Sequence, residues 1–356
     1  MTEALTILEK TRSSKTRDQP YAPSWLDRFT DWIDRLPGPS IIAYLILFLL
    51  FGIQSQVAAW IFGTYPRGEF DINLFLYPLF TFEILFFFKF LDKDAENALD
   101  EFRPVLAVKD TDFSRIKFEF TNLPALPVIV LTILGTAFGS YYAYSVEMEA
   151  TMSFQLSFVA AYGFIGFSIP MILAFIFSYR IIRQLRNVSR LTSKIPNVDL
   201  FNLEPIHALS SHTAKTGLIF LLLTYTNLLI SPETLHLATA IISLTVISTL
   251  SFLAFIVPLK GINGRLVREK KQMRKEVLHR LRMAFEEADR KFTNNNLSEA
   301  DELEKTIAIF ERQKEFVENI PTWPWKPATL RGFLSAVLLP LIIWIMQEIL
   351  KSSISF

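Results

Sequence analysis

Glu83 is the residue whose type and position most invite chemistry. It stands in the run Phe80-Thr81-Phe82-Glu83-Ile84-Leu85-Phe86, at the middle of an apolar stretch covering about residues 73–91. A carboxylate inside a bilayer costs several kcal/mol unless it is protonated, hydrated or paired, so an ionisable group at that depth points to an ion or proton path. The competing reading is a protonated Glu83 that hydrogen-bonds a neighbouring helix, and the sequence leaves the two open. Lys89 lies toward the end of the same stretch, on another face of the helix. It is a poor partner for Glu83 and suits a side chain that reaches for the aqueous boundary. Gln54 and Gln56 in the preceding apolar stretch, Asn227 further on and Gln347 near the C-terminus are softer candidates, with interhelical hydrogen bonding as their expected role.

Other chemistry is hard to find. The chain has no Gly-rich phosphate loop ending in Lys, no HExxH, no nucleophile elbow and no kinase signature set. His207 and His212 share a segment, but their spacing suits no standard metal site, and cysteine is absent. No catalytic, cofactor-binding or metal-ligating residue is therefore assigned, no cofactor is expected, and an enzyme is the least expected class. A net charge of +1 carries no nucleic-acid signature.

The elements that must position these residues are apolar helices. Hydrophobic residues make up 51% of the 356, Phe alone accounts for 33, and mean hydropathy is +0.32, all above what a soluble chain of this length usually shows. Crossing a bilayer takes about 20 apolar residues as a helix. Seven stretches qualify, at about 40–63, 73–91, 125–147, 155–179, 214–231, 236–258 and 330–349. The expected fold is an all-α integral membrane protein with seven transmembrane helices.

Orientation follows from Lys and Arg, which collect on the cytoplasmic side. With the N-terminus inside and the C-terminus outside, 34 of the 36 basic residues are cytoplasmic, and only Arg67 and Lys351 are external. Residues 1–20 lack the apolar core of a signal peptide, so the first spanning helix is expected to direct insertion, with the bacterial cytoplasmic membrane as the expected location. The chain then divides into a cytoplasmic tail (1–39), a six-helix region (40–258), a cytoplasmic segment (259–325) and the seventh helix with an external C-terminus (326–356). Its outer loops are too short for an extracellular domain.

Within the tail, Ser24 reads as an N-cap with Asp27 as its capping-box partner. The helix over 24–36 places Trp25, Leu26, Phe29, Trp32, Ile33 and Leu36 on one face, with Asp27, Arg28, Asp31, Asp34 and Arg35 opposite. Two tryptophans on an apolar stripe suit either the membrane interface or packing on the protein's own cytoplasmic loops. In the 259–325 segment, Pro258, Gly261 and Gly264 loosen the membrane exit, and a helix over about 265–292 follows. Its first half carries Arg265, Arg268, Lys270, Lys271, Arg274 and Lys275, a run suited to anionic lipid. Apolar 3-4 repeats in its second half and in the helix after Ser298 predict an antiparallel helical hairpin, with a self-associating coiled coil as the rival. Residues 265–318 could also receive a cytoplasmic protein.

Gly135 and Gly139 form a GxxxG pair, and Gly163 and Gly166 serve the following span similarly; these are helix-packing features, usable within one chain or between copies of a homo-oligomer. The six hydroxyls of the sixth stretch are spread around the helix rather than lining one face. Trp323 and Trp325, set among prolines in Ile320-Pro321-Thr322-Trp323-Pro324-Trp325, suit interfacial anchors before the last span.

That segment, with Thr329-Leu330-Arg331-Gly332-Phe333-Leu334-Ser335, Leu99-Asp100-Glu101-Phe102-Arg103-Pro104, Phe120-Thr121-Asn122-Leu123-Pro124 and Asp199-Leu200-Phe201-Asn202-Leu203-Glu204-Pro205, resembles a family of uncharacterised multi-pass bacterial membrane proteins. The resemblance covers the chain from about residue 40 onward. It implies a membrane fold and carries over no functional residues. A channel or transport protein is the favoured expectation, motivated by Glu83; the alternative is a signalling or scaffold subunit acting through the cytoplasmic hairpin.

Overall fold

The structure is a computed structural model that describes residues 20–63, 65–151, 158–193, 195, 199–230, 249–293 and 300–354. Among these residues the chain is all-helical, without strands, and an isolated bridge joins Pro23 to Pro124. The helices are α1 (Trp25–Asp34), α2 (Ser40–Phe62), α3 (Ile72–Leu76), α4 (Leu79–Phe102), α5 (Asp110–Thr121), α6 (Ala125–Thr151), α7 (Phe158–Ser193), α8 (Glu204–Ile230), α9 (Lys260–Thr293), α10 (Ala300–Asn319) and α11 (Pro327–Ile354). A further helical segment, 249–256, leads into α9 through a single 3-10 turn.

Five helical stretches are long and apolar enough to cross a membrane: Ser40–Phe62, Ile72–Val105, Ala125–Ser145, Phe164–Ser193 and Thr249–Lys291. The expected span at 330–349 falls within α11, and that at 214–231 coincides with α8 up to Ile230, residue 231 lying outside the described residues. Most of the expected sixth span, and the tight connection before it, lie outside the described residues, as do four of its six hydroxyls. The turn expected at 294–297 lies outside them too.

Local sequence accounts for several boundaries. Ser24 caps α1 in a full capping box with Asp27. Pro37-Gly38-Pro39 separates α1 from α2, and α2 stops at Gly63, whose φ of 72° is the left-handed conformation that favours glycine. Pro258 interrupts the α-helix with a single 3-10 turn, Val257–Leu259, after which α9 begins at Lys260. It sits in a first turn, where its missing N–H is not required, and the helix runs on through Gly261 and Gly264.

Two apolar cores fill the molecule. One joins α1 to the long apolar helices, with Leu26 and Ile33 of α1, Phe88 and Leu91 of α4, Ile176 of α7 and Ile219 of α8. The other gathers the ends of those helices and their connections, including Phe102, Phe120, Leu191, Leu209, Leu259, Trp325 and Phe333. The tightest helix approach is between α6 and α7. A Cβ added at Gly135 would stand 2.6 Å from Ile172 Cα, and one at Gly139 would stand 2.6 Å from Ser168 Cα, so both glycines admit a neighbouring backbone. Gly166 differs from expectation: nothing lies within 4 Å of its added Cβ, so it is no packing glycine here. Gly163 lies outside the residues whose surroundings are described.

Candidate functional site

Glu83 projects from α4 toward α8, where the Thr226 hydroxyl donates to its Oε1 at 3.2 Å. Its Oε2 is buried without a hydrogen-bond partner. Eleven residues further along α4, Asp94 accepts from His212 Nδ1 at 2.8 Å and pairs with Lys215, both on α8. Lys215 and Thr226 are also eleven residues apart, and eleven residues is about three helical turns, which returns a side chain to the same face. The residue order falls on α8 as it rises on α4, so the pair is antiparallel and one seam carries both polar stations. Between them the seam is apolar and closed, with Leu91 fully buried and Ile219 and Leu223 5% exposed. His212 Nε2 is buried and unpartnered at the second station.

A second polar cluster surrounds Arg180, which is completely buried in the second half of α7. Its guanidinium contacts the Asp92 carboxylate and lies over the Phe88 ring, 3.8 Å from the ring centre. Asp27 Oδ1 stands 3.8 Å from Arg180 Nη1, and the Thr121 carbonyl accepts from Nη2 at 3.4 Å. The next turns of α7 continue the pattern. Gln184 donates to Phe120 O at 3.1 Å, Asn187 donates to Glu119 O at 3.1 Å, and Arg183 donates to the Tyr21 hydroxyl at 2.7 Å. The open carbonyls at the end of α5, which have no acceptor role within their own helix, are thus satisfied by α7. Burial pushes the Tyr21 phenol up to about 12, against the opposing pull of Arg183.

Asp27 belongs to this cluster, which corrects its expected place on the polar outer face of α1. Its Oδ2 accepts from Ser24 N, Ser24 Oγ and, at 2.9 Å, from Leu123 N. A carboxylate with three donors can be buried, which the helical wheel alone does not reveal. Lys89 is likewise not a free boundary lysine: it pairs with Asp31 and, at 3.1 Å, with Asp34 on α1.

The remaining sequence candidates are dispersed. Gln56 is buried and holds the loop before α3, donating to Glu69 O at 3.1 Å and accepting from Asp71 N at 3.1 Å. Gln54 is exposed. The side chains of Asn227 and Gln347 lie outside the described ones. Trp25, Trp32 and Trp323 are exposed, but Trp325 is buried between Phe255 and Trp323, 4.5 Å and 5.3 Å away by ring centres. It is a core residue, because His207 and Ser210 of α8 bond Pro324 O at 2.9 Å and 2.6 Å and pull the segment inward.

The basic run on α9 is partly spent on protein. Arg265 donates to the carbonyls of Ser193 and Ile195, Lys270 donates to those of Glu318 and Ile320, and Arg274 pairs with Glu318 at 3.3 Å. Arg268, Lys271 and Lys275 are exposed and keep the expected lipid-facing role available.

Sequence reasoning missed Arg180, Asp92, Asp94 and His212 as members of clusters. The available signal was three acidic or basic residues, Asp92, Lys93 and Asp94, directly following an apolar stretch with no break in helical pattern. No group of three metal-ligating side chains occurs among the described residues. No family profile, curated protein or solved structure matches the chain. The class that the fold defines is therefore the coarse one: among the described residues, an all-helical protein with five helices long and apolar enough to cross a membrane.

Proposed function

We propose that this is a multi-pass transport or channel protein of the bacterial cytoplasmic membrane that moves protons or a small cation past Glu83. The observation that carries the reading is Glu83 Oε2, buried and without a partner among apolar side chains. A carboxylate in that setting is stable when it holds a proton or a cation, and releasing either requires contact with water. The Asp94–His212–Lys215 station on the same seam supplies a second set of exchangeable groups, and the apolar gap between the stations is where a change of conformation would act. The proposal includes seven spans with the N-terminus inside and the C-terminus outside, supported by the distribution of Lys and Arg.

Protein reconstituted in proteoliposomes should dissipate an imposed pH or cation gradient, read by an internal dye, and Glu83→Gln should abolish the flux. Wild-type flux in Glu83→Gln would reject the reading.

A second reading has its own support. Helices α9 and α10 pack together, with Lys270 and Arg274 bound to the end of α10. This arrangement suits a cytoplasmic antiparallel hairpin. Leu278 and Phe285, 39% and 47% exposed, form an uncovered apolar strip along α9. A scaffold subunit would present that strip to a cytoplasmic partner. Deletion of 265–318 that leaves the cellular phenotype intact would count against it.

A further inference from the structure

The apolar face expected on α1 is divided by the structure into two. Leu26 and Ile33 turn inward and are 0% and 1% exposed, whereas Trp25, Phe29, Trp32 and Leu36 are 36% to 56% exposed. By helical periodicity the three exposed residues on α1, Trp25, Phe29 and Trp32, fall within an arc of about 60°, and Leu36 follows just past the end of the helix. Four large apolar side chains gathered on and beside one short helix need a cover, because a stripe of that size facing water is rare in a stable monomer.

We infer that the cover is the lipid bilayer, and that α1 lies in the membrane interface on the side of the N-terminus with these four side chains among the acyl chains. Three observations on the molecule point to lipid. First, the Trp25 indole donates to Thr132 Oγ1 at 3.0 Å. Thr132 is seven residues into α6, about 10 Å along a helix whose Ala125–Ser145 stretch is apolar enough to span a membrane. The edge of α1 is therefore held at the depth of the hydrocarbon boundary. Second, the stripe continues into the exposed apolar faces of the spanning helices: Leu126, Ile129 and Ile133 of α6 are 53% to 73% exposed, and Ile41, Ile42, Leu45 and Ile46 of α2 are 50% to 56% exposed.

Third, the charges are sorted. Asp31 and Asp34 are taken up by Lys89 on the protein side, whereas Arg28 and Arg35 are exposed along the border of the stripe. A basic border beside an inserted aromatic stripe matches anionic headgroups above acyl chains. A cytoplasmic protein could supply the acidic border but could not occupy a surface continuous with the lipid-facing spans. The inference does not depend on whether the protein transports anything. It also gives the Asp27–Arg180 contact a meaning, since that contact fixes the interfacial helix to the centre of the bundle.

The chain contains no cysteine, so single-cysteine variants need no background removal. Nitroxides attached at Phe29→Cys, Trp32→Cys, Leu36→Cys and Arg35→Cys would be measured in proteoliposomes of phosphatidylcholine and phosphatidylglycerol. At 29, 32 and 36 the ratio of collisions with oxygen to collisions with a water-soluble nickel chelate should be several-fold higher than at 35. In the unlabelled protein, lipids brominated near the headgroup should quench tryptophan emission, and Trp32→Phe should remove part of that quenching. Free access of the nickel chelate at 29, 32 and 36 would place the stripe in water. Protection from both reagents, with Trp32→Phe leaving the bromine quenching unchanged, would place it under protein, whether a second copy or another partner. Either result overturns the inference.

Discussion

Arg180 and Glu83 are both ionisable groups within apolar helices, yet the protein treats them in opposite ways. Arg180 is surrounded: Asp92 and Asp27 face its guanidinium, Phe88 lies beneath it, and a helix-end carbonyl accepts from it. Glu83 receives one hydroxyl and nothing else among the described side chains. The difference teaches where structure ends and function begins. A buried charge whose partners come from three other segments is a joint between those segments. Glu83 has a single tie, to Thr226, and no counter-charge among the described side chains, which is why the proposed exchange is placed there.

Removing each charge should separate the two roles. Arg180→Ala leaves Asp92 and Asp27 buried without a counter-charge and should be the most destabilising substitution, about 3–5 kcal/mol by the usual cost of breaking a buried pair. Thermal or denaturant unfolding in detergent would read it. Glu83→Gln is the contrasting case, and its unfolding midpoint should be unchanged or raised while flux is lost. A destabilised Glu83→Gln would show that the carboxylate is a joint after all.

Gly139→Val tests the helix approach that frames both sites. Its side chain would overlap the Ser168 backbone, and overpacking of this kind costs about 1–3 kcal/mol. The same substitution at Gly166, where space is open, should be neutral or slightly stabilising, by about 0.3 kcal/mol, because valine has the better helix propensity.

The Tyr21–Arg183 contact should matter less, and in a defined pH window. The folded phenol titrates at about 12, above its ordinary value of 10.0, because burial disfavours the phenolate. Its contribution is therefore complete below about pH 10 and is lost as pH rises toward 12. The alkaline unfolding transition should move upward in Tyr21→Phe, which has no proton to lose. Smallest of all should be Arg274→Ala on α9. Its pair with Glu318 is exposed on both sides, and such surface pairs contribute about 0–1 kcal/mol. A large loss there would show that α9 and α10 are held more by charge than by their apolar seam.

The sequence by itself determined that the chain is helical with apolar stretches long enough to cross a membrane, because a run of apolar residues has the same meaning in any tertiary context; of the seven stretches expected, five meet that measure among the described residues. It determined the α1 cap, since Ser24 and Asp27 act within one turn, and the close approach at Gly135 and Gly139, since only glycine admits a backbone at that distance. It also singled out Glu83. Only the tertiary structure decided which charges are buried. Asp27 looked like a surface residue because helical periodicity knows nothing of Leu123 N, 96 residues away. Asp94 and His212 looked unrelated because 118 residues separate them. Trp325 looked like its neighbour Trp323 until α8 drew Pro324 inward. A helix reports its own faces, but what each face meets is fixed by elements far away in the chain, and the partners of a buried charge come from there.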